Sequence, residues 1–216
     1  MQPTPRRPDR PTLWILAGPN GSGKSSSYNR TDIEGWGGSV WIINPDLLTA
    51  RIVEQEELPL DTANLVAVER IEQWLDASIA VHQTIGVETV LSSSKYRRLV
   101  RPAKARGYQV RLIYVFLQTV DLQVERIAIR VREGGHDVPA DKIGSRRVRS
   151  FRQFAWFCRK ADLVLLLDNS IGEPDLIGTK LGSRIQFDVD RLPRDMLAIF
   201  SQLKLVPSGV RRSDCQ

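Results

Sequence analysis
The run Gly18-Pro19-Asn20-Gly21-Ser22-Gly23-Lys24-Ser25 follows directly on an apolar stretch at residues 13–17, and no other feature narrows the possible folds as far. Its spacing is G-x-x-x-x-G-K-S, the pattern of a phosphate-binding loop set between a strand and a helix. Glycines let the backbone close into a nest whose N–H groups converge on an anion. A helix starting near Lys24 adds its positive N-terminal end. In such a loop Lys24 reaches the β/γ-phosphates and the Ser25 hydroxyl ligates Mg²⁺; Ser26, the next residue, is counted with the nucleotide contacts. The motif predicts a bound ATP or GTP with Mg²⁺. It does not separate a kinase from an ATPase or GTPase.

Residues 184–189 could add a sixth strand, and further apolar runs at residues 40–43, 87–91, 110–117 and 163–167 read as buried strands. They are continuous rather than alternating, which suits a parallel sheet covered on both faces. Helical periodicity lies between them, at 61–79 with Asp61 as cap, 95–106, 121–133, 139–160 and 194–203. The alternation predicts a doubly wound α/β domain with a mainly parallel sheet of five or six strands, of the P-loop kinase type with a helical lid. A Pro/Arg-rich arm is expected at 1–11, the domain at 12–206 with the lid at about 121–160, and a tail at 207–216. The 216 residues suffice for one domain with a substantial core.

No apolar run approaches the ~20 residues needed to span a bilayer, and the N-terminus lacks the apolar segment of a secretion signal. The two cysteines, Cys158 and Cys215, cannot build a metal site alone. A reducing cytoplasmic compartment is the expectation. The net charge of +6 favours an anionic ligand, nucleotide or nucleic acid.

An acceptor side should form at the ends of neighbouring strands. Asp46 follows the second run and Glu88 lies within the third, with Ser92 and Ser93 just beyond. A carboxylate there can take the proton of an attacking hydroxyl. Asp46 could instead cap the helix that begins at Leu47. Glu88 could serve an ion pair or back up Mg²⁺. Arginines crowd the expected lid: Arg126, Arg130 and Arg132, then Arg146, Arg147, Arg149 and Arg152. Some of these should neutralise charge on the transferred phosphoryl group. The aromatics Phe151, Phe154, Trp156 and Phe157 read as a helix core face rather than as stacking partners for bases, which lowers a nucleic-acid role. Asp168-Asn169-Ser170 could line the nucleotide base or form a plain turn.

The loop, Asn44-Pro45-Asp46, Glu88-Thr89-Val90-Leu91-Ser92-Ser93, Gly107-Tyr108, Arg130-Val131-x-x-Gly134-Gly135-His136-x-Val138-Pro139 and Asp168-Asn169-Ser170 together resemble the zeta-toxin family. Members are kinases that phosphorylate the 3′-hydroxyl of the amino sugar in UDP-N-acetylglucosamine, with ATP or GTP as donor, and a separate small helical antitoxin blocks the nucleotide site. The resemblance implies Lys24 and Ser25 on nucleotide and Mg²⁺, Asp46 as base, Glu88 on substrate, and Arg130 as the first of two phosphate-gripping lid arginines. His136 stands in the second place, and Arg146 or Arg147 could supply its charge. Two other readings stay open: a polynucleotide or other metabolite kinase, and a non-catalytic module that only binds nucleotide.

Overall fold
Residues 12–17 have side chains that point alternately to two faces, yet all six are buried, so the strand they form must lie between two covered layers. The computed structural model describes residues 10–25, 42–133 and 138–204. Its strands are β1 (Thr12–Ala17), β2 (Ile42–Ile43), β3 (Ile85–Thr89), β4 (Gln109–Phe116), β5 (Leu163–Asp168), β6 (Asp175–Leu181) and β7 (Arg184–Phe187). Its helices are α1 (Pro45–Glu56), α2 (Leu60–Ala80), α3 (Arg97–Ala105), α4 (Val120–Arg132), α5 (Ala140–Lys160) and α6 (Arg194–Gln202). The sheet order is β2-β3-β1-β4-β5-β6-β7. The first five strands pair in parallel, with Ile15 opposite both Val87 of β3 and Leu112 of β4. β1 is thus central, and the crevice beyond its C-terminal end is the expected ligand position.

One sheet face carries the main core. Leu13, Ile15, Val87, Leu112, Tyr114 and Leu166 pack against Ile71 and Leu75 of α2, Leu99 of α3, Phe151, Phe154 and Phe157 of α5, and Phe200 of α6. The other face presents Trp14, Leu16, Ile113, Val115 and Leu167. Truncating a fully buried phenylalanine such as Phe154 to alanine should cost ~3–5 kcal/mol.

The structure departs from the sequence reading in four places. The sheet has seven strands among the described residues, because β6 and β7 add an antiparallel hairpin. β6 is interrupted by Asp175, Gly178 and Lys180 and is exposed at both ends instead of running apolar, and so gave no continuous signal. The third strand begins at Ile85 and ends at Thr89, and Leu91 beyond it takes a positive φ of 56°. Asp61 is not a cap: Pro59 precedes α2 and Asp61 lies in its first turn, where its charge suits the helix dipole. The expected lid of 121–160 also runs too far. α5 is pinned to the sheet by Phe151, Phe154 and Phe157, all 0% exposed, so α4 is the part of that segment that faces the crevice. No helix among the described residues is long and apolar enough to cross a membrane.

Candidate active site
The phosphate loop leaves β1 and turns back on itself through Gly21 (φ 73°) and Gly23 (φ 81°), left-handed conformations that only glycine adopts without strain. Gly23 is also fixed by contact: a Cβ there would lie 2.2 Å from Asn169 Nδ2. Lys24 and Ser25 begin a helix, as the motif requires. The loop forms one wall of a cavity of about 810 Å³ at the C-terminal ends of β1, β2 and β3. This size suits a small-molecule site.

The opposite wall starts at Asn44. Its side-chain Oδ1 accepts from the N–H groups of Asp46 and Leu47, at 2.9 and 3.3 Å, and so caps α1. Pro45 occupies the first helical turn, where its missing N–H costs nothing. Because Asn44 is the cap, the Asp46 carboxylate is released from that duty, and Asp46 lines the cavity. Glu88, in β3, is 7% exposed and well partnered. Ser25 Oγ donates to its carboxylate at 3.0 and 2.9 Å, and Asn44 Nδ2 donates at 3.1 Å.

Lys24 is buried at 9% exposure and its ammonium donates to Pro19 O at 3.2 Å. Burial lowers its pKa, while Glu88 and Asp46 favour its charged form and Arg130 opposes it. Residues 24, 46, 88 and 130 therefore share one electrostatic neighbourhood. Arg130 and Arg126 project from α4 onto the cavity, and Arg126 Nη2 also donates to Asn169 O at 2.7 Å.

Asn20, Gly21, Gly23, Lys24, Ser25, Asp46, Glu88, Ser92, Ser93, Arg126 and Arg130 thus come together as the sequence led one to expect. Gly18, Pro19 and Ser22 form the back of the loop, with Ser22 at 0% exposure. Ser26 and His136 lie outside the described residues. Arg146 does not line the cavity. Arg147 is a correction: it is 1% exposed and bonded to Asp195, Leu117 O and Gln118 O, so it is a buried strut and not a phosphate-gripping lid residue. Asn169, read from sequence as base-lining or plain turn, donates from Nδ2 to Ser22 O at 2.9 Å and steadies the loop.

Sequence reasoning missed Gln123, Lys95 and Tyr96. Gln123 is 0% exposed and donates to Asn20 O at 2.8 Å; a polar residue one turn before Ile127 on the buried helix face was the available signal. Lys95 and Tyr96 line the acceptor side, in a stretch whose basic residues look like helix surface.

Residues 1–162 match the family described as zeta toxin. The chain belongs to the zeta-toxin family. A relative, an uncharacterized protein of Haemophilus influenzae, is 27% identical over 141 residues, which cover 61% of this chain and 94% of that one. Among solved structures, a chain of the AvrRxo1-ORF1:AvrRxo1-ORF2 complex with ATP superposes with a TM-score of 0.65 at 17% identity, covering 95% of this chain and 66% of that one. The same pair with sulphate ions gives 0.63 at 18% identity, and there this chain spans 61% of the matched chain. The PezAT toxin-antitoxin system of Streptococcus pneumoniae gives 0.60 at 14% identity, over 94% of this chain and 81% of that one. The fold is that of zeta toxins and P-loop kinases.

Proposed function
We propose that this zeta-family chain moves the γ-phosphate of ATP or GTP onto a hydroxyl of a small acceptor, a nucleotide sugar such as UDP-N-acetylglucosamine. The observation that carries the reading is that Asp46, freed from capping by Asn44, lines the same cavity as Lys24 and Ser25. The loop amides and Lys24 hold the β/γ-phosphates. Asp46 orients the acceptor hydroxyl and takes its proton late in a loose transition state. Arg130, with Arg126 beside it, neutralises charge on the phosphoryl group.

The donor set fits Mg²⁺. The Ser25 hydroxyl and the Glu88 carboxylate, 2.9 to 3.0 Å apart, are hard oxygen ligands beside the phosphate loop. Ser25 and Glu88 would hold the ion, and it would supply charge neutralisation between the β- and γ-phosphates. The partner chains in AvrRxo1-ORF1:AvrRxo1-ORF2 and PezAT support a separate antitoxin for this chain as well.

The test is labelled ATP with a panel of nucleotide sugars, nucleosides and oligonucleotides, beside Asp46→Asn. The expected result is label on UDP-N-acetylglucosamine, lost in Asp46→Asn while ATP uptake survives. Label on oligonucleotide ends instead would make the chain a polynucleotide kinase. ATP uptake with no acceptor labelled anywhere would make it a binding module.

A further inference from the structure
A loop that turns its amides onto a phosphate turns its carbonyls away, and buried carbonyls need donors. Here two of the donors come from far along the chain: Asn169 Nδ2 serves Ser22 O at 2.9 Å and Gln123 Nε2 serves Asn20 O at 2.8 Å. The second contact is aimed by a deeper layer. Gln123 Oε1 accepts from Arg147 Nη1 at 3.2 Å. With its oxygen held on the guanidinium, the amide must present its NH₂ to Asn20.

Arg147 is itself immobilised. Its Nη1 donates to Leu117 O at 2.7 Å and its Nη2 to Gln118 O at 3.1 Å. Its Nε and Nη2 grip Asp195 at 2.6 and 3.1 Å, a two-point pairing with the first turn of α6. Neither Arg147 nor any residue of α6 lines the cavity. A guanidinium at 1% exposure is costly to bury, and apolar residues could fill the same volume. What an apolar residue could not do is orient Gln123.

We propose that Gln123 is a positioning residue for nucleotide binding, aimed by the Arg147–Asp195 pair, so that the C-terminal helix α6 tunes the phosphate loop without touching the ligand. This rests on the loop being a nucleotide site. Gln123→Glu separates the roles: the new carboxylate keeps the shape and pairs well with Arg147, but sets an acceptor against Asn20 O.

The expected result is about tenfold weaker uptake of Mg·ATP by calorimetry. In the nucleotide-free protein, amide hydrogen exchange at residues 20–25 should quicken while exchange in β4 does not. Asp195→Asn should act in the same direction and more weakly. Its effect should not add to that of Gln123→Glu, because both act through one contact. Wild-type affinity and exchange in Gln123→Glu would overturn the proposal. So would an Asp195→Asn protein that melts earlier yet binds and exchanges as wild type does. If the wild-type chain takes up no nucleotide, the function falls, while the ligand-free exchange still decides for or against the Gln123 contact.

Discussion

Ser25 Oγ lies 3.0 and 2.9 Å from the two carboxylate oxygens of Glu88, a contact made across 63 residues of sequence. The family resemblance implies that Glu88 holds the acceptor. The geometry sets it against the hydroxyl that closes the phosphate motif, and Asn44 Nδ2 fixes the carboxylate from the other side at 3.1 Å. A carboxylate so held is placed to share a hard cation with Ser25.

Glu88→Gln keeps the shape and removes the charge. The Mg²⁺ concentration giving half-maximal transfer at fixed ATP should rise by about tenfold or more, by analogy with other residues that support a metal. The acceptor KM should stay near wild type. If a Mg²⁺ titration is unchanged and the acceptor KM climbs, Glu88 belongs to the acceptor as the resemblance implies.

Asn44 performs two tasks with one amide: its oxygen caps α1 and its nitrogen steadies Glu88. Asn44→Ala should lose about 1 kcal/mol from the missing cap, a fall of roughly 2–4 °C in Tm for a chain of this size. Transfer should fall as well, since the cap sets where Asp46 points. Asn44→Ser restores a capping oxygen but offers Glu88 no amide. Thermal melts should then recover in the serine variant while transfer does not. Recovery of both together would show that the Glu88 contact is incidental.

The loop and the parallel strands were legible because each carries its own local signature: glycines at fixed offsets, and apolar runs buried on two sides. Asp46 was legible as a candidate, but whether it capped a helix was not, since Asn44 and Asp46 are both good caps and only the backbone decides between them. Arg147 was misread because sequence records its charge and not its direction. Half a helical turn separates a side chain facing a cavity from one facing the core. β6 escaped because a strand interrupted by Asp175, Gly178 and Lys180 resembles a loop until its partner Leu163–Asp168 is in place.

Cys158 gives a prediction at alkaline pH. Burial pushes its thiol up to about 11, against the smaller opposing pull of Lys180 and Arg159. A thiol whose folded pKa lies above its unfolded value holds a proton that the unfolded chain gives up. Stability from this source is whole below the unfolded pKa, near 8.5, and is lost as pH rises from there toward 11. Urea unfolding of wild type and Cys158→Ala at pH 7, 9 and 10.5 should show the gap between them narrowing, by on the order of 2 kcal/mol over the whole window. A gap constant with pH would mean the thiol titrates as it does in the unfolded chain.

Lys24 runs the other way. Burial lowers its pKa more strongly than Glu88 and Asp46 raise it. Its folded pKa therefore lies below its unfolded one, and between the two the folded state binds fewer protons, so this residue's contribution to stability improves as pH rises. The buried ammonium is held at a cost, with Pro19 O at 3.2 Å as its hydrogen-bond acceptor, and a triphosphate would relieve it. Lys24→Met fills similar space without the charge. Nucleotide uptake should vanish, yet the ligand-free variant should melt no lower than wild type at pH 7, the usual trade between stability and a strained functional group. The wild type should gain on the variant when both are melted again at pH 9.5. A Lys24→Met protein that melts several degrees early at pH 7 would mean that the two carboxylates need the ammonium more than burial penalises it, and that the empty site is held together by its charges.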